Sequence, residues 1–361
     1  MESRFASQES LWRSINENPP ELKGVTKESR NPVATTNFSE VYRGSWLPPD
    51  RGVFGTRMLV AIKVIRTIPG ASSARQEQTL RQLKREITLQ ERLKHENILP
   101  FLGVSMDFGD LPSPISEWMA NGTVLQYLKK NPQASRLDFL KGIARGMRFL
   151  HQPTPHKPSI VHGDLKGSNI LVTNWGAPCL ADFGLSRVYD PATFWNTATE
   201  SVNGTTRWMS PELLSASNDR KSLTIASDIY AYGITAWEIV TGKLPYHDLI
   251  DTKVILEVTK GLRPTRPRDI SDALWNVMQQ CWDVDVKVRP SMGSVLRAFH
   301  KIAEMNPPLR LLSLDSCGIR IITSLQILQK IMEEIGPNER PCDHFDMIAG
   351  SGTGGCVAAS S

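Results

Sequence analysis

Long uncharged apolar runs are missing from this sequence. No stretch reaches the ~18 residues a membrane-spanning helix needs, and Met1 to Asn18 alternates charged and polar residues without a signal-peptide core. The expectation is a cytoplasmic protein with no membrane span. No run of five or more Lys or Arg occurs, and the net charge of +5 is spread along the chain, so no nucleic-acid partner is expected. Cysteine is scarce: Cys179, Cys281, Cys317, Cys342 and Cys356 make an odd count of five in 361 residues with no C-x-x-C spacing. That argues against a disulfide framework and a zinc site and fits a reducing compartment. Internal repeats are absent as well. What remains, 40% hydrophobic and 22% charged residues, is the composition of a globular protein long enough for two domains or one large two-lobed one.

Residues 1–21 are polar and close on Asn18-Pro19-Pro20, which suits a flexible arm. Phe38 to Trp46 and Arg57 to Arg66 read as strands, with Pro48, Pro49, Asp50 and Gly52 as turn signals between them. Gln76 to Leu93 carries Leu80, Leu83, Ile87 and Leu89 at near-helical spacing, and Ile98 to Met119 returns to short strands. After Gly122 helices dominate, most clearly Phe139 to His151 and Ser227 to Thr241. A small strand-rich part followed by a large helical part predicts an α+β chain of two lobes, 22–119 and 120–305. Near Asn306-Pro307-Pro308 the character changes again, and residues 306–361 run strand-like, helix-like, strand-like, then Gly-rich.

Several short motifs carry chemistry. Val60-Ala61-Ile62-Lys63 alone reads equally well as an edge strand with a solvated lysine, and Asp182-Phe183-Gly184 alone as a turn. His162-Gly163-Asp164-Leu165-Lys166-Gly167-Ser168-Asn169, bracketed by apolar Ile160-Val161 and Ile170-Leu171-Val172, reads as a polar loop between short strands. Their order decides the matter. The lysine strand, a charged helix bearing Glu86, the H-G-D-L-K-G-S-N loop, D-F-G, Ser210-Pro211-Glu212 and Ser227-Asp228 follow one another at the spacing of a single known constellation.

On these residues the chain resembles the eukaryotic protein-kinase family over about 22–305. The resemblance implies a five-stranded small lobe with one helix, a helical large lobe, and Mg²⁺ with ATP in the cleft between. Phosphoryl transfer needs positioning and charge neutralisation more than covalent chemistry. By resemblance Lys63 holds the inner phosphates and Glu86 fixes its direction. Asp182 and Asn169 are the Mg²⁺ ligands, Asp164 accepts the proton of a protein hydroxyl, and Lys166 neutralises the transferring phosphate. Ala34, Val41, Ala61, Glu117 and Met119 surround the nucleotide, with Ser116 as gatekeeper and Glu117-Trp118-Met119 as hinge. Glu212 is expected to pair with Arg289, and Asp228 to anchor the catalytic loop. W-M-S-P-E, Cys281-Trp282 and the lysine after Asp164 lean towards the tyrosine-kinase-like group of serine/threonine kinases, acting on protein substrates in intracellular signalling.

Two departures stand out. The glycine-rich loop of the family falls on Ala34-Thr35-Thr36-Asn37-Phe38-Ser39-Glu40-Val41, with Ala34, Thr36 and Ser39 at the three glycine positions. Side chains there weaken the phosphate cradle, which leaves a slower kinase and a pseudokinase scaffold as alternatives. The arginine that usually precedes the catalytic aspartate is Gly163, which removes the cation that a phosphorylated activation segment would engage. Thr193, Thr197, Thr199, Ser201, Thr205 and Thr206 remain as hydroxyls in that segment, as phosphorylation sites or plain polar loop residues.

The C-terminal stretch resembles the opening of a patatin-like phospholipase domain in degenerate form. Leu311 to Arg320, a helix face of Ile321, Leu325, Leu328, Met332 and Ile335, and Phe345 to Gly355 carry the likeness. The G-x-S-x-G elbow reads Gly350-Ser351-Gly352-Thr353-Gly354, with Gly352 in the nucleophile's place, and the chain ends at Ser361 before an aspartate partner. No acyl transfer is expected from it.

Overall fold

The computed structural model describes residues 19–36, 39–49, 55–66, 73–155, 157–184, 186–188, 205–215, 223–305, 311–316, 329–330 and 347–352. The chain divides into two units, Met1–Phe299 and His300–Ser361.

The first unit opens on an antiparallel sheet of β1 (Thr26–Lys27), β2 (Ala34–Thr35), β3 (Ser39–Trp46), β4 (Met58–Ile65), β5 (Phe101–Ser105) and β6 (Ser113–Glu117), ordered β1-β3-β4-β6-β5 with β2 also on β3. Six strands stand where five are expected because β1 and β2 are two pieces of one path along β3. Lys27 faces Gly44 and Ala34 faces Val41, and the residues between include Pro32, which has no N–H for the ladder. On β4 the strand period of two sends Val60 and Ile62, both fully buried, into a core with Leu22, Val25, Tyr42 and Ile115. Burying each such side chain contributes about 2 kcal/mol. The helix α1 (Ser73–Arg92) packs Leu80, Leu83 and Ile87 against Val104 and Leu111.

The chain already touches this sheet at Pro20. Leu22 N donates to Val104 O at 2.7 Å and Val104 N to Pro20 O at 2.9 Å. Gly103, at φ +151°, permits this, since a Cβ there would collide with the Pro20 carbonyl.

The large lobe contains α2 (Val124–Lys130), α3 (Arg136–His151), β7 (Ile160–Val161), β8 (Ile170–Val172), β9 (Pro178–Leu180), β10 (Arg187–Val188), α4 (Pro211–Leu214), α5 (Ile225–Thr241), α6 (Asp251–Thr259), α7 (Asp272–Cys281) and α8 (Met292–Met305). The long helices begin close to where hydrophobic spacing places them, and side-chain caps at Thr123, Ser135, Thr224 and Ser271 set the starts of α2, α3, α5 and α7. Thr224 and Ser227 exchange side-chain-to-backbone bonds of 3.0 and 2.9 Å at the start of α5, worth about 1 kcal/mol. From Ser227 to Ile239 every residue of α5 is buried, so this helix is the spine of the lobe. The pairs β8–β9 and β7–β10 are short antiparallel ladders that bracket the loop from His162 to Asn169 and the D-F-G turn.

In the second unit β11 (Leu311–Ser316) and β12 (Met347–Gly352) pair in parallel, from Leu311 opposite Met347 to Ser316 opposite Gly352. Parallel neighbours require a crossover connection, in keeping with the strand, helix, strand reading. The expected helix face from Ile321 to Ile335 lies outside the described residues, as do Phe38 and the hydroxyls from Thr193 to Ser201. No helix among the described residues is long and apolar enough to cross a membrane.

Candidate active site

Strand register gathers the small-lobe residues on one face. Val41 lies directly opposite Lys63, Ala34 opposite Val41, and Ser116 opposite Ala61. Opposed residues of an antiparallel pair share a face, and Ala61 and Lys63 are two apart on β4, so all five look away from the core that holds Val60 and Ile62. Glu117 ends β6 beside Val60, its N–H donating to Pro100 O at 3.2 Å. Met119 is buried just beyond, and its carbonyl accepts from Gly122 N at 3.0 Å.

Lys63 is the meeting point of three elements. Its Nζ lies 2.7 Å from Glu86 Oε1 on α1 and 3.1 Å from Asp182 Oδ1 after β9. Burial pulls the ammonium's pKa down, but the carboxylates of Asp182 and Glu86 reverse this and hold it above the ordinary lysine value. The Lys63 charge in turn holds the Asp182 carboxyl below its usual range against the pull of desolvation. Asp182 sits in the left-handed region at φ +61°, uncommon for a residue with a side chain. Phe183, buried beside the His162 ring at 5.3 Å between centroids, holds the turn in place.

The loop from His162 to Asn169 is anchored from below. Asp228, near the start of α5, accepts from His162 N at 2.7 Å, Gly163 N at 2.9 Å and His151 Nε2 at 2.9 Å. Gly163 has φ +80°, a conformation that side chains resist. His162 Nδ1 accepts from Asp164 N, so its proton sits on Nε2, which faces Ala181 O at 3.2 Å. Asp164 Oδ2 then receives Asn169 Nδ2 at 2.9 Å and Lys166 Nζ at 3.0 Å, while Asp164 Oδ1 is buried with no hydrogen-bond partner. An unpaired buried carboxylate oxygen is costly and marks a place for an incoming donor. Asn169 Nδ2 also reaches Asp164 O at 2.8 Å, which leaves its Oδ1 as the oxygen able to meet a cation. A small cavity opens beside Asp164, walled by Leu165, Thr205, Trp208, Met209 and Ala231.

Thr205 and Thr206 are buried, unlike plain polar loop residues. Thr205 Oγ1 instead accepts from Lys166 Nζ at 2.9 Å. Arg289, its side chain wholly buried, meets Glu212 in a two-pronged pair at 2.7 and 3.0 Å. Burial pushes the Glu212 pKa up, but Arg289 outweighs it and holds the carboxyl below its ordinary value.

Three participants are absent from the motif reading. His151 shares Asp228, Arg207 fastens the segment before Ser210, and Glu238 joins both loops. Glu238 Oε2 accepts from Gly167 N and from Trp208 Nε1, each at 2.9 Å. Desolvation pushes its pKa up to about 7 against those two donors. The signal in the sequence is an acid ten residues after Asp228, inside the apolar run of α5.

At the hairpin between β2 and β3, two of the three glycine positions bond to each other. Thr36 N donates to Ser39 O at 2.8 Å, Ser39 N donates to Thr36 Oγ1 at 2.9 Å, and the hydroxyls lie 3.0 Å apart. Side chains at two of the three positions thus bond across the hairpin, which glycine could not do.

Comparison with known proteins agrees with this geometry. Residues 28–299 match the family described as protein tyrosine and serine/threonine kinase. Serine/threonine-protein kinase STY17 of Arabidopsis thaliana is 28% identical over 275 residues, 75% of this chain and 43% of the relative. RGS domain-containing serine/threonine-protein kinase A of Dictyostelium discoideum is 32% identical, over 75% of this chain and 22% of the relative. Serine/threonine/tyrosine-protein kinase HT1 of Arabidopsis thaliana is 28% identical over 83% of this chain and 76% of the relative. The chain thus spans less than half the length of the first of these relatives.

Proposed function

Because the chain belongs to the protein tyrosine and serine/threonine kinase family, we propose that it is an active phosphotransferase acting on serine or threonine hydroxyls of proteins. The observation that carries this reading is Asp164: one oxygen held by Lys166 and Asn169, the other buried and unpartnered. A substrate hydroxyl donating to Oδ1 acquires a base in a fixed direction. Its oxygen forms the new bond to the γ-phosphorus as the bond to the bridging oxygen breaks, and the hydroxyl proton passes to Asp164. Lys166, within 3.0 Å of Asp164 and 2.9 Å of Thr205, supplies positive charge where the transferring group arrives. The serine/threonine preference draws on the names of relatives such as the Arabidopsis thaliana serine/threonine-protein kinases.

The residues present fit Mg²⁺ and ATP. Asp182 is a carboxylate held ionised by Lys63, Asn169 offers Oδ1, and Lys63 is kept cationic for the inner phosphates. When bound, Mg-ATP supplies the phosphoryl group and neutralises its charge. Lys63, directed by Glu86, orients the nucleotide, and the face bearing Ala34, Val41 and Ala61 covers it beside Glu117 and Met119. Free buried thiols at Cys179 and Cys281 support a reducing, cytoplasmic setting. We assign no chemistry to residues 306–361, where Gly352 has no hydroxyl.

A second reading, a scaffold without catalysis, draws on the closed turn of Thr36 and Ser39. Transfer of labelled γ-phosphate to the protein and to a basic protein substrate separates the two, with Asp182→Asn as control. Label on phosphoserine or phosphothreonine that disappears in the variant is the expected result. No label above the variant at millimolar ATP overturns it and leaves the scaffold.

A further inference from the structure

Gly163 deprives the catalytic loop of a charge beside Asp164, so the segment that follows the D-F-G turn needs another hold where it reaches the substrate side. The described chain resumes at Thr205, and three residues of one short turn each bond a different element. Thr205 Oγ1 takes Lys166 of the catalytic loop, and Trp208 Nε1 takes Glu238 of α5. Arg207 reaches outward to the connection between α5 and α6. Its Nη1 donates to Pro245 O at 2.8 Å and Tyr246 O at 2.7 Å, and its Nη2 donates to Leu249 O at 2.7 Å and pairs with Asp251 Oδ1 at 2.8 Å.

The guanidinium is thus held by three main-chain carbonyls of one loop and by the charge of Asp251. That loop includes Tyr246 at φ +53°, a conformation costing about 1–3 kcal/mol unless its surroundings impose it. The Arg207 side chain is only 11% exposed, and its neighbours Thr205, Trp208 and Met209 form one wall of the cavity beside Asp164. A planar fork satisfies this set of acceptors, whereas a lysine offers three donors from a single point.

We propose that Arg207 is a positioning residue: by clasping the α5–α6 loop it fixes the wall against which a protein substrate docks, with an internal guanidinium and carboxylate serving where a phosphate would otherwise be needed. This rests on the kinase reading, and the effect expected is on protein-substrate binding more than on the nucleotide.

The test uses the full chain carrying Arg207→Ala, Arg207→Lys or Asp251→Asn, with a protein substrate and ATP varied in turn. Arg207→Ala is expected to raise the KM for the protein substrate about tenfold or more with the KM for ATP within about twofold. Arg207→Lys recovers part of the loss, and Asp251→Asn shows a smaller rise in the same direction. Unchanged protein-substrate KM in all three overturns the proposal, as does an equal rise in both KM values. Should Arg207→Ala not fold, the other two variants carry the same comparison. If the unmodified chain transfers no phosphate, the kinase reading fails separately, and amide hydrogen exchange over 206–214 then decides the clasp. Faster exchange confined to that segment and 245–251 in Arg207→Lys and Asp251→Asn supports it, and unchanged exchange refutes it.

Discussion

Ala34, Thr36 and Ser39 of the small-lobe hairpin and Gly163 of the loop 162–169 carry their departures from the family pattern in opposite ways. In the catalytic loop one side chain is missing, at Gly163, and the loop's anchoring bonds stand: Asp228 holds both preceding amides, and Lys166 and Asn169 each hold Asp164. In the small-lobe hairpin, side chains have been added at glycine positions, and Thr36 and Ser39 have turned inward to bond each other. Loss of a peripheral side chain leaves the groups proposed as base and metal ligands in place, whereas gain of side chains changes the hairpin proposed to lie nearest the nucleotide. In the proposed reaction the departures therefore bear on the grip on ATP more than on the groups that would carry the chemistry. A chain with this pattern is expected to work slowly at low ATP while following the ordinary route.

The largest effect that tests the contrast lies at the base. Asp164→Asn removes the proton acceptor but keeps the size of the group, so kcat should fall about 10²–10⁴-fold with ATP affinity changed by less than about twofold. A fall of less than tenfold would break the comparison by removing the catalytic loop from the chemistry. Next comes the anchor of the substrate side. Glu212→Ala leaves Arg289 charged and wholly buried without its partner, which should cost about 3–5 kcal/mol in urea unfolding.

A third prediction concerns pH. The Glu238 pKa rises from an ordinary 4.5 to about 7 in the folded chain because its carboxyl is buried. Between those values the folded state binds the proton and the unfolded state does not, so this residue's contribution to stability falls as pH rises from about 4.5 to 7. Replacing it by Gln, which can still accept from Gly167 N–H and Trp208 Nε1–H, should remove that slope. The stability of Glu238→Gln relative to the unmodified chain should climb by roughly 2–3 kcal/mol between pH 5 and 7.5. A difference that stays flat with pH would show that Glu238 remains ionised in the folded protein.

The smallest effect belongs to the hairpin. Thr36→Val keeps the shape and removes the oxygen that accepts from Ser39 N, at a cost of about 1 kcal/mol. Amide exchange at Ser39 should quicken while urea unfolding loses no more than about 1 kcal/mol. Exchange that stays slow would show the turn to be held by its backbone, which would weaken the contrast with the catalytic loop.

Much of the fold is legible in the sequence because its signals are local. The alternation of Met58 to Ile65 places Lys63 on the face away from the core, and the spacing of Leu80, Leu83 and Ile87 marks the helix that brings Glu86 to it. The expectation of five small-lobe strands misses the break at Pro32, because β1 and β2 follow a single partner strand and only pairing reveals it. Asp164, Asn169, Asp182, Glu212 and Arg289 carry motif signatures. Arg207, His151 and Glu238 carry none that a reader of one sequence would rank, since their partners lie 30 or more residues away and are in part main-chain carbonyls of no fixed identity.

The order of residue types fixed which chemistry this protein is equipped for, because a lysine, an acid and an amide at set intervals can be read without coordinates. Only the folded arrangement decided which oxygen of Asp164 is left open, which hydroxyls of Thr36 and Ser39 close on each other, and which loop Arg207 holds. Those outcomes depend on distances of about 3 Å between groups remote in sequence. At that range the packing of whole elements, and not local propensity, sets the free energy.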